Sequence, residues 1–207
     1  MIKVSSKYYL IFIALLSFSF NTYASSSDDF SFGVIFSDNE VRTDVSSLTG
    51  TATLDEDDTG YGIYLKFKLS DNFNITTFYH DFGEAVLSGN NGDQFSYSGS
   101  TYEFQTTASF SLEAETFGIG LEYMIDLIEG LSLTPKFGVH SWDSDIKVAS
   151  SVLNGTIADD DAIIDIFYGV GISGLVNESF RVNASYDVYD FDLNDVESIN
   201  FTVEYIF

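Results

Sequence analysis

Apolar and polar residues alternate with period two in eight segments of the chain, the pattern of strands with two unlike faces. The first puts Phe30, Phe32, Val34 and Phe36 on one face and Ser31, Gly33 and Ser37 on the other. The second sets Tyr61, Ile63, Leu65, Phe67 and Leu69 against Gly60, Gly62, Tyr64, Lys66 and Lys68. The third runs from Phe73 to His80, the fourth from Phe117 to Ile125 and the fifth from Leu131 to His140. The sixth runs from Ile164 to Ser173, the seventh from Phe180 to Tyr189 and the eighth from Ile199 to Phe207. Several match the roughly 9–11 residues with which a tilted strand crosses hydrocarbon. An even number returns both ends to one side.

The connections alternate in length. Ser70 to Asn72, Asp126 to Gly130 and Asn177-Glu178 are short. Asp38 to Asp58, Glu84 to Glu115 and Asp143 to Ala162 are long and polar, and Asp190 to Asp195 is shorter. Tight turns on one rim and long loops on the other are the asymmetry of an outer-membrane barrel. The predicted fold is therefore all-β, an eight-stranded antiparallel transmembrane up-and-down barrel. One place breaks phase: Phe110, Leu112 and Ala114 are even-numbered, but Phe117, Ile119 and Leu121 are odd. Either a β-bulge lies near Glu115-Thr116, or the preceding residues form a strand extension or loop above the membrane.

A lipocalin-like barrel would alternate too, with its apolar side chains inside. Three features favour the inverse. Aromatics lie toward the ends of the apolar face: Phe67, Phe73, Tyr123, Phe180 and Tyr205 at one rim, Tyr61, Tyr79 and Tyr186 nearer the other, as in interfacial girdles. Gly33, Gly60, Gly62, Gly118, Gly120, Gly138, Gly169 and Gly171, half of the 16 glycines, share the polar face. Such glycines weaken a solvent-facing sheet but leave room inside a narrow barrel. The charges on that face also balance: Lys66, Lys68, Lys136 and Arg181 against Glu122, Asp165, Asp187 and Glu204. Buried charges need partners, and eight strands enclose just enough space for side chains to fill. These eight residues form the predicted lumen network.

The overall charge is extreme, 8 basic residues against 32 acidic. Nucleic acid is excluded as a partner, since nothing could neutralise its phosphates. Without cysteine, disulfides and thiolate metal sites are impossible. Residues 1–24 read as a cleavable signal peptide: Lys3 and Lys7, an apolar run from Tyr8 to Phe20, then Thr22-Tyr23-Ala24. Residues 25–207 form the barrel domain.

The mature chain resembles the membrane domain of OmpA-like outer-membrane proteins. The resemblance rests on Gly118-Ile119-Gly120-Leu121-Glu122-Tyr123, on Lys136 to Asp143, on Tyr186 to Asp190 and on the alternating C-terminal Phe201, Val203, Tyr205 and Phe207. It implies an eight-stranded barrel in the bacterial outer membrane with a polar, ion-paired interior, and contact with outer-membrane lipid and lipopolysaccharide. It also implies that the barrel assembly machinery reads Phe207. The chain departs from the full-length pattern by stopping at Phe207, with no peptidoglycan-binding domain expected to follow.

Candidate chemistry is sparse. His80 and His140 are the two histidines. Ser141 adjoins His140, but neighbours on a strand point to opposite faces, so a direct dyad is not expected. Asp55-Glu56-Asp57-Asp58 and Asp159-Asp160-Asp161 lack the spacing of a calcium loop and read as solvated runs, with divalent bridging to lipopolysaccharide phosphates a weaker role. No phosphate-cradling glycine loop or zinc spacing is present. The expectation is a non-enzymatic surface barrel with a plugged lumen and no cofactor, structural or interacting through its loops with an unidentified ligand. The alternatives are a narrow channel for small solutes, and a lipid-modifying barrel enzyme using His140 or His80.

Overall fold

The computed structural model describes residues 30–191 and 194–207; the predicted signal peptide lies outside them. Eight long strands close on themselves: β1 (Phe30–Val41), β2 (Asp57–Lys68), β3 (Phe73–Gly89), β4 (Ala108–Tyr123), β5 (Leu131–Ser150), β6 (Asn154–Asn177), β7 (Phe180–Phe191) and β8 (Asn194–Ile206). Each pairs antiparallel with the next, and β1 pairs with β8 from Ser31↔Ile206 to Val41↔Val196. A sheet closed in this way has no open edge within the membrane, where no water could satisfy one.

Through the lower part of the cylinder the apolar face looks outward. Phe36, Tyr61, Ile119, Leu121, Phe137, Tyr168, Val170 and Phe201 are exposed, whereas Lys66, Glu122, Asp187 and Glu204 are buried. Hydrocarbon, not water, is the solvent that this outer face fits. At the rim of short turns its aromatics touch around the barrel. Phe30 lies 5.1 Å from Phe67 and 5.0 Å from Phe207, Tyr205 5.0 Å from Phe207 and 5.3 Å from Phe180, and Phe73 4.7 Å from Tyr123 (ring centroids). Higher up, Tyr79 donates to the Glu115 carboxylate at 2.6 Å and Tyr186 donates to Glu197. Amphipathic rings thus mark both interfaces.

The phase break before Phe117 is not a bulge in β4. Pairing with β5 runs unbroken through Trp142↔Thr116, Asp143↔Glu115 and Ser144↔Ala114. Even-numbered side chains of β4 point inward along its length. What changes is the surroundings: below Thr116 the outside is lipid, and above it the outside is water and the inside is apolar core. The irregularity sits on β3 instead, between Asp81 and Glu84. Gly83 takes φ of +82° there, a conformation that costs glycine little, and the Asp58 carboxylate caps the Glu84 amide at 2.9 Å.

The interior is layered, with an apolar layer added to the expected polar, ion-paired lumen. Ion pairs fill the lower half. Above them Tyr64, Phe78, Phe82, Trp142, Phe167, Tyr189 and Phe191 pack with Ile35, Val41 and Val196 into a buried apolar core. Phe167 stacks on Tyr189 at 5.4 Å, and Phe82 meets Tyr189 at 4.8 Å. The glycines are sockets for this layer. A Cβ at Gly33 would lie 2.2 Å from the Tyr64 ring, one at Gly118 2.3 Å from Phe78, and one at Gly120 2.6 Å from Phe167.

The predicted long loops are largely strand. β3 to β6 have 17, 16, 20 and 24 residues, against 12 or 13 in the other four. They rise as a four-stranded wall on one side. The third expected loop is a hairpin turning at Ser151 to Leu153. Polar outward residues disguised these strands as loops. Val45–Ser46, Gln94–Tyr97 and Ser100–Glu103 form a small separate sheet. At the other rim β4 stops at Tyr123, short of the predicted Ile125, and Ile125–Ile128 pairs as a short strand with the start of β5.

Asp93 fastens the outer loops. Its carboxylate accepts from the Asn90 amide (2.8 Å), the Thr51 amide (3.1 Å) and the Thr51 hydroxyl (2.7 Å). The Asn90 backbone bond, then the Thr51 bonds, hold its carboxyl below the ordinary aspartate value. A lowered folded value means that the stabilisation is complete above the ordinary value of 3.8 and fades as pH falls through the lowered one. In a pH titration by NMR, the Thr51 and Asn90 amide resonances should hold their positions down to that value and collapse together below it. A midpoint at or above 3.8 would mean that the clasp does not form.

Candidate functional site

Inward side chains of five strands meet in the lower lumen. Lys66 of β2 is 7 % exposed. Its Nζ lies 2.9 Å from both Glu122 Oε2 on β4 and Glu204 Oε2 on β8. Glu204, 1 % exposed, also accepts from the Tyr64 hydroxyl at 2.8 Å and from Arg181 Nη1 at 3.1 Å. Lys136 of β5 reaches Asp187 Oδ2 of β7 at 2.7 Å, and Asn200 and Ser185 donate to the same oxygen. Three cations and three carboxylates are thus placed against one another.

Strand register explains the reach. Gly169 of β6 lies between its partners Lys136 and Asp187, and Gly33 of β1 between Tyr64 and Glu204. Each glycine empties the position that the flanking pair must cross. A Cβ at Gly169 would stand 2.0 Å from Asp187 Oδ1.

Two predicted members stand apart. Lys68 ends β2, and its side chain, 38 % exposed, meets Asp71 of the following turn at 3.3 Å. It belongs to the rim because the strand ends there. Asp165 accepts from Trp142 Nε1 at 2.8 Å. It lies at the level of the aromatic layer, above the lysines.

The histidines make contacts that local sequence could not show. His80 Nε2 lies 2.8 Å from Ser37 Oγ, across 43 residues. His140 Nδ1 lies 2.8 Å from Thr116 Oγ1 and its Nε2 lies 2.9 Å from the Asp190 carbonyl oxygen. Both rings are buried among Phe82, Tyr189 and Phe191. Asn39 ties the same level together, donating to the Phe82 carbonyl and accepting from Ser198. No predicted contact announced these ties, though Ser37 and His80 were both assigned to the polar face. Among the described residues no group of His, Asp or Glu forms a metal-ligand cluster.

A closed eight-stranded cylinder with a lipid-facing belt and a polar lower lumen defines a transmembrane β-barrel of the bacterial outer membrane. The chain belongs to the outer membrane protein beta-barrel domain family, whose pattern matches residues 10–207. No curated protein matches it significantly. Among solved structures it is similar to Ail, the attachment invasion locus protein of Yersinia pestis, with 14% identity and a TM-score of 0.54 over 86% of this chain and 97% of that one. It is likewise similar to Neisserial surface protein A, with 12% identity and a TM-score of 0.52 over 88% and 98%. At such identities the likeness is one of fold.

Proposed function

We propose that this protein is a non-enzymatic outer-membrane barrel with a lumen closed to solutes and a tall outer wall that serves as an interaction surface. The unequal strand lengths carry this reading. β6 pairs with β5 from Gly174 up to Asn154, but with β7 only from Asn177 to Phe167. Among the described residues, the edge from 154 to 166 therefore has a strand on one side only. Its free N–H and C=O groups form a template for an added strand. Val152, 81 % exposed, and Leu153 tip the same hairpin.

The ion pairs below and the packed aromatic layer above support the reading of a closed lumen. The Ser37–His80 and Thr116–His140 pairs are buried beside that layer and link neighbouring parts of the barrel wall, which supports reading them as ties between strands. An Ail structure holds the heparin analogue sucrose octasulfate. The wall here suits no such polyanion: its Lys147 is paired with Glu113, and Arg42 across the barrel with Glu197. The outward Phe201, Tyr205 and Phe207 are the segment through which assembly machinery would recognise the barrel. The exposed belt would meet membrane lipid and, in the outer leaflet, lipopolysaccharide.

Two measurements test the reading. In planar bilayers the barrel should give no steady conductance, and an open pore would favour the narrow-channel alternative. Presented to a library of extended peptides, the barrel should enrich binders that a variant lacking residues 144–161 does not. No enrichment on the full chain would reject the edge as an interaction surface.

A further inference from the structure

We infer that the turn-side mouth of the barrel is a binding site for a small anion bearing a carboxylate or phosphate group. This mouth faces the periplasm, the side of short turns in such barrels. It opens into a vestibule of about 490 Å³ whose wall includes Lys66, Lys68, Asn74, Arg181 and Glu204. That volume is within the range of small-molecule sites. A second cavity of about 600 Å³ shares Arg181 with it.

The unengaged polar groups set within the strands of this wall are donors, while the acceptors Asp71 and Glu178 stand on its exposed turns. Among the described residues, Arg181 makes a single ion pair, from Nη1 to Glu204. The rest of its planar fork stays available for bidentate contact with an oxyanion. Asn74 is buried, lines the vestibule and has an Nδ2 without a partner. Among the described residues, the ion pair of Lys68 is with Asp71, whose carboxylate is 97 % exposed and easily exchanged for another. These three donors come from β7, β3 and β2, so the fold assembles them, not a local motif.

The acceptors are differently placed. Glu204 already receives Tyr64, Lys66 and Arg181. Asp71 and Glu178 stand on exposed turns, where water and salt screen them. A cation entering the vestibule would find its one deep carboxylate occupied. A carboxylate or phosphate, whose charged oxygens accept, would complete the Asn74 amide, the guanidinium and the ammonium together.

Inorganic phosphate is the probe. The barrel is held in maltoside micelles, which contain no phosphate, and its amides are followed by NMR. Saturable shifts are expected at Lys68, Asn74 and Arg181, and none in the outer sheet. Lys68→Gln should weaken binding by about two- to fivefold, the factor of one half-exposed charge contact. Arg181→Lys should weaken it further, because it keeps the charge and loses the fork.

Two sources of the anion separate in lipid. If a headgroup is the ligand, nanodiscs containing phosphatidylglycerol should show the shifted resonances before phosphate is added. If a free solute is, the phosphate titration should be unchanged there. Shifts that never saturate, or that are identical in Lys68→Gln, would overturn the site. Heat-modifiable migration on a gel confirms that each variant is folded.

Discussion

In a Glu204→Gln barrel, urea unfolding in micelles should show a loss of about 3–5 kcal/mol, the cost of removing one partner from a buried ion pair. Among the described residues, Glu204 is the one carboxylate that is ion-paired with two cations, Lys66 and Arg181. Its glutamine replacement can still accept from Tyr64. Lys66 keeps Glu122 at 2.9 Å, but Arg181 is left in a mostly buried wall with no counter-charge. Adding Arg181→Met to the same chain should restore part of the loss, because the stranded charge is then gone. A change below about 1 kcal/mol in the single variant, the value of an exposed pair, would mean that water from the vestibule screens these ion pairs and that they do not act as a buried network.

A second large loss, again about 3–5 kcal/mol, should follow Phe82→Ala, as for other buried phenylalanines cut to alanine. Phe82 is fully buried and meets His80, Tyr189 and Phe191 at centroid distances of 4.3, 4.8 and 5.8 Å. It stands at the bulge of β3, between Asp81 and Glu84. Conductance should stay low, because the ion pairs beneath are untouched. If the aromatic layer were a passage for ligands, the substitution would leave stability near that of the parent and raise permeability.

The alternating segments made the barrel legible within the membrane. There one face meets lipid and the other a crowded lumen, so Phe137 and Lys136 already declare their directions. The same reasoning failed higher up. Once the outer face meets water, Glu113 and Asp145 on strands look like loop residues, and alternation alone predicts β3 to β6 much shorter than they are. Lys68 and Asp165 were assigned by parity alone, which gives the side of the wall but not the height. The glycines revealed that space was needed. They did not reveal that Gly33 serves Tyr64 or that Gly169 serves the Lys136–Asp187 pair, since those depend on which strands become neighbours. The Ser37–His80 tie was hidden for the same reason.

The reversal of polarity along β4 fixes how deep the molecule floats. Asp81, Glu115 and Asp143 are direct register neighbours on β3, β4 and β5, one step above the outward Tyr79 and Phe117. Sinking by one pleat would push this row of carboxylates into acyl chains, a penalty that grows with depth. Rising by one pleat would lift Phe73 and Tyr123 off the opposite interface. The cylinder is self-levelling, and the height at which it offers its hairpin to the outside is written into the strand itself.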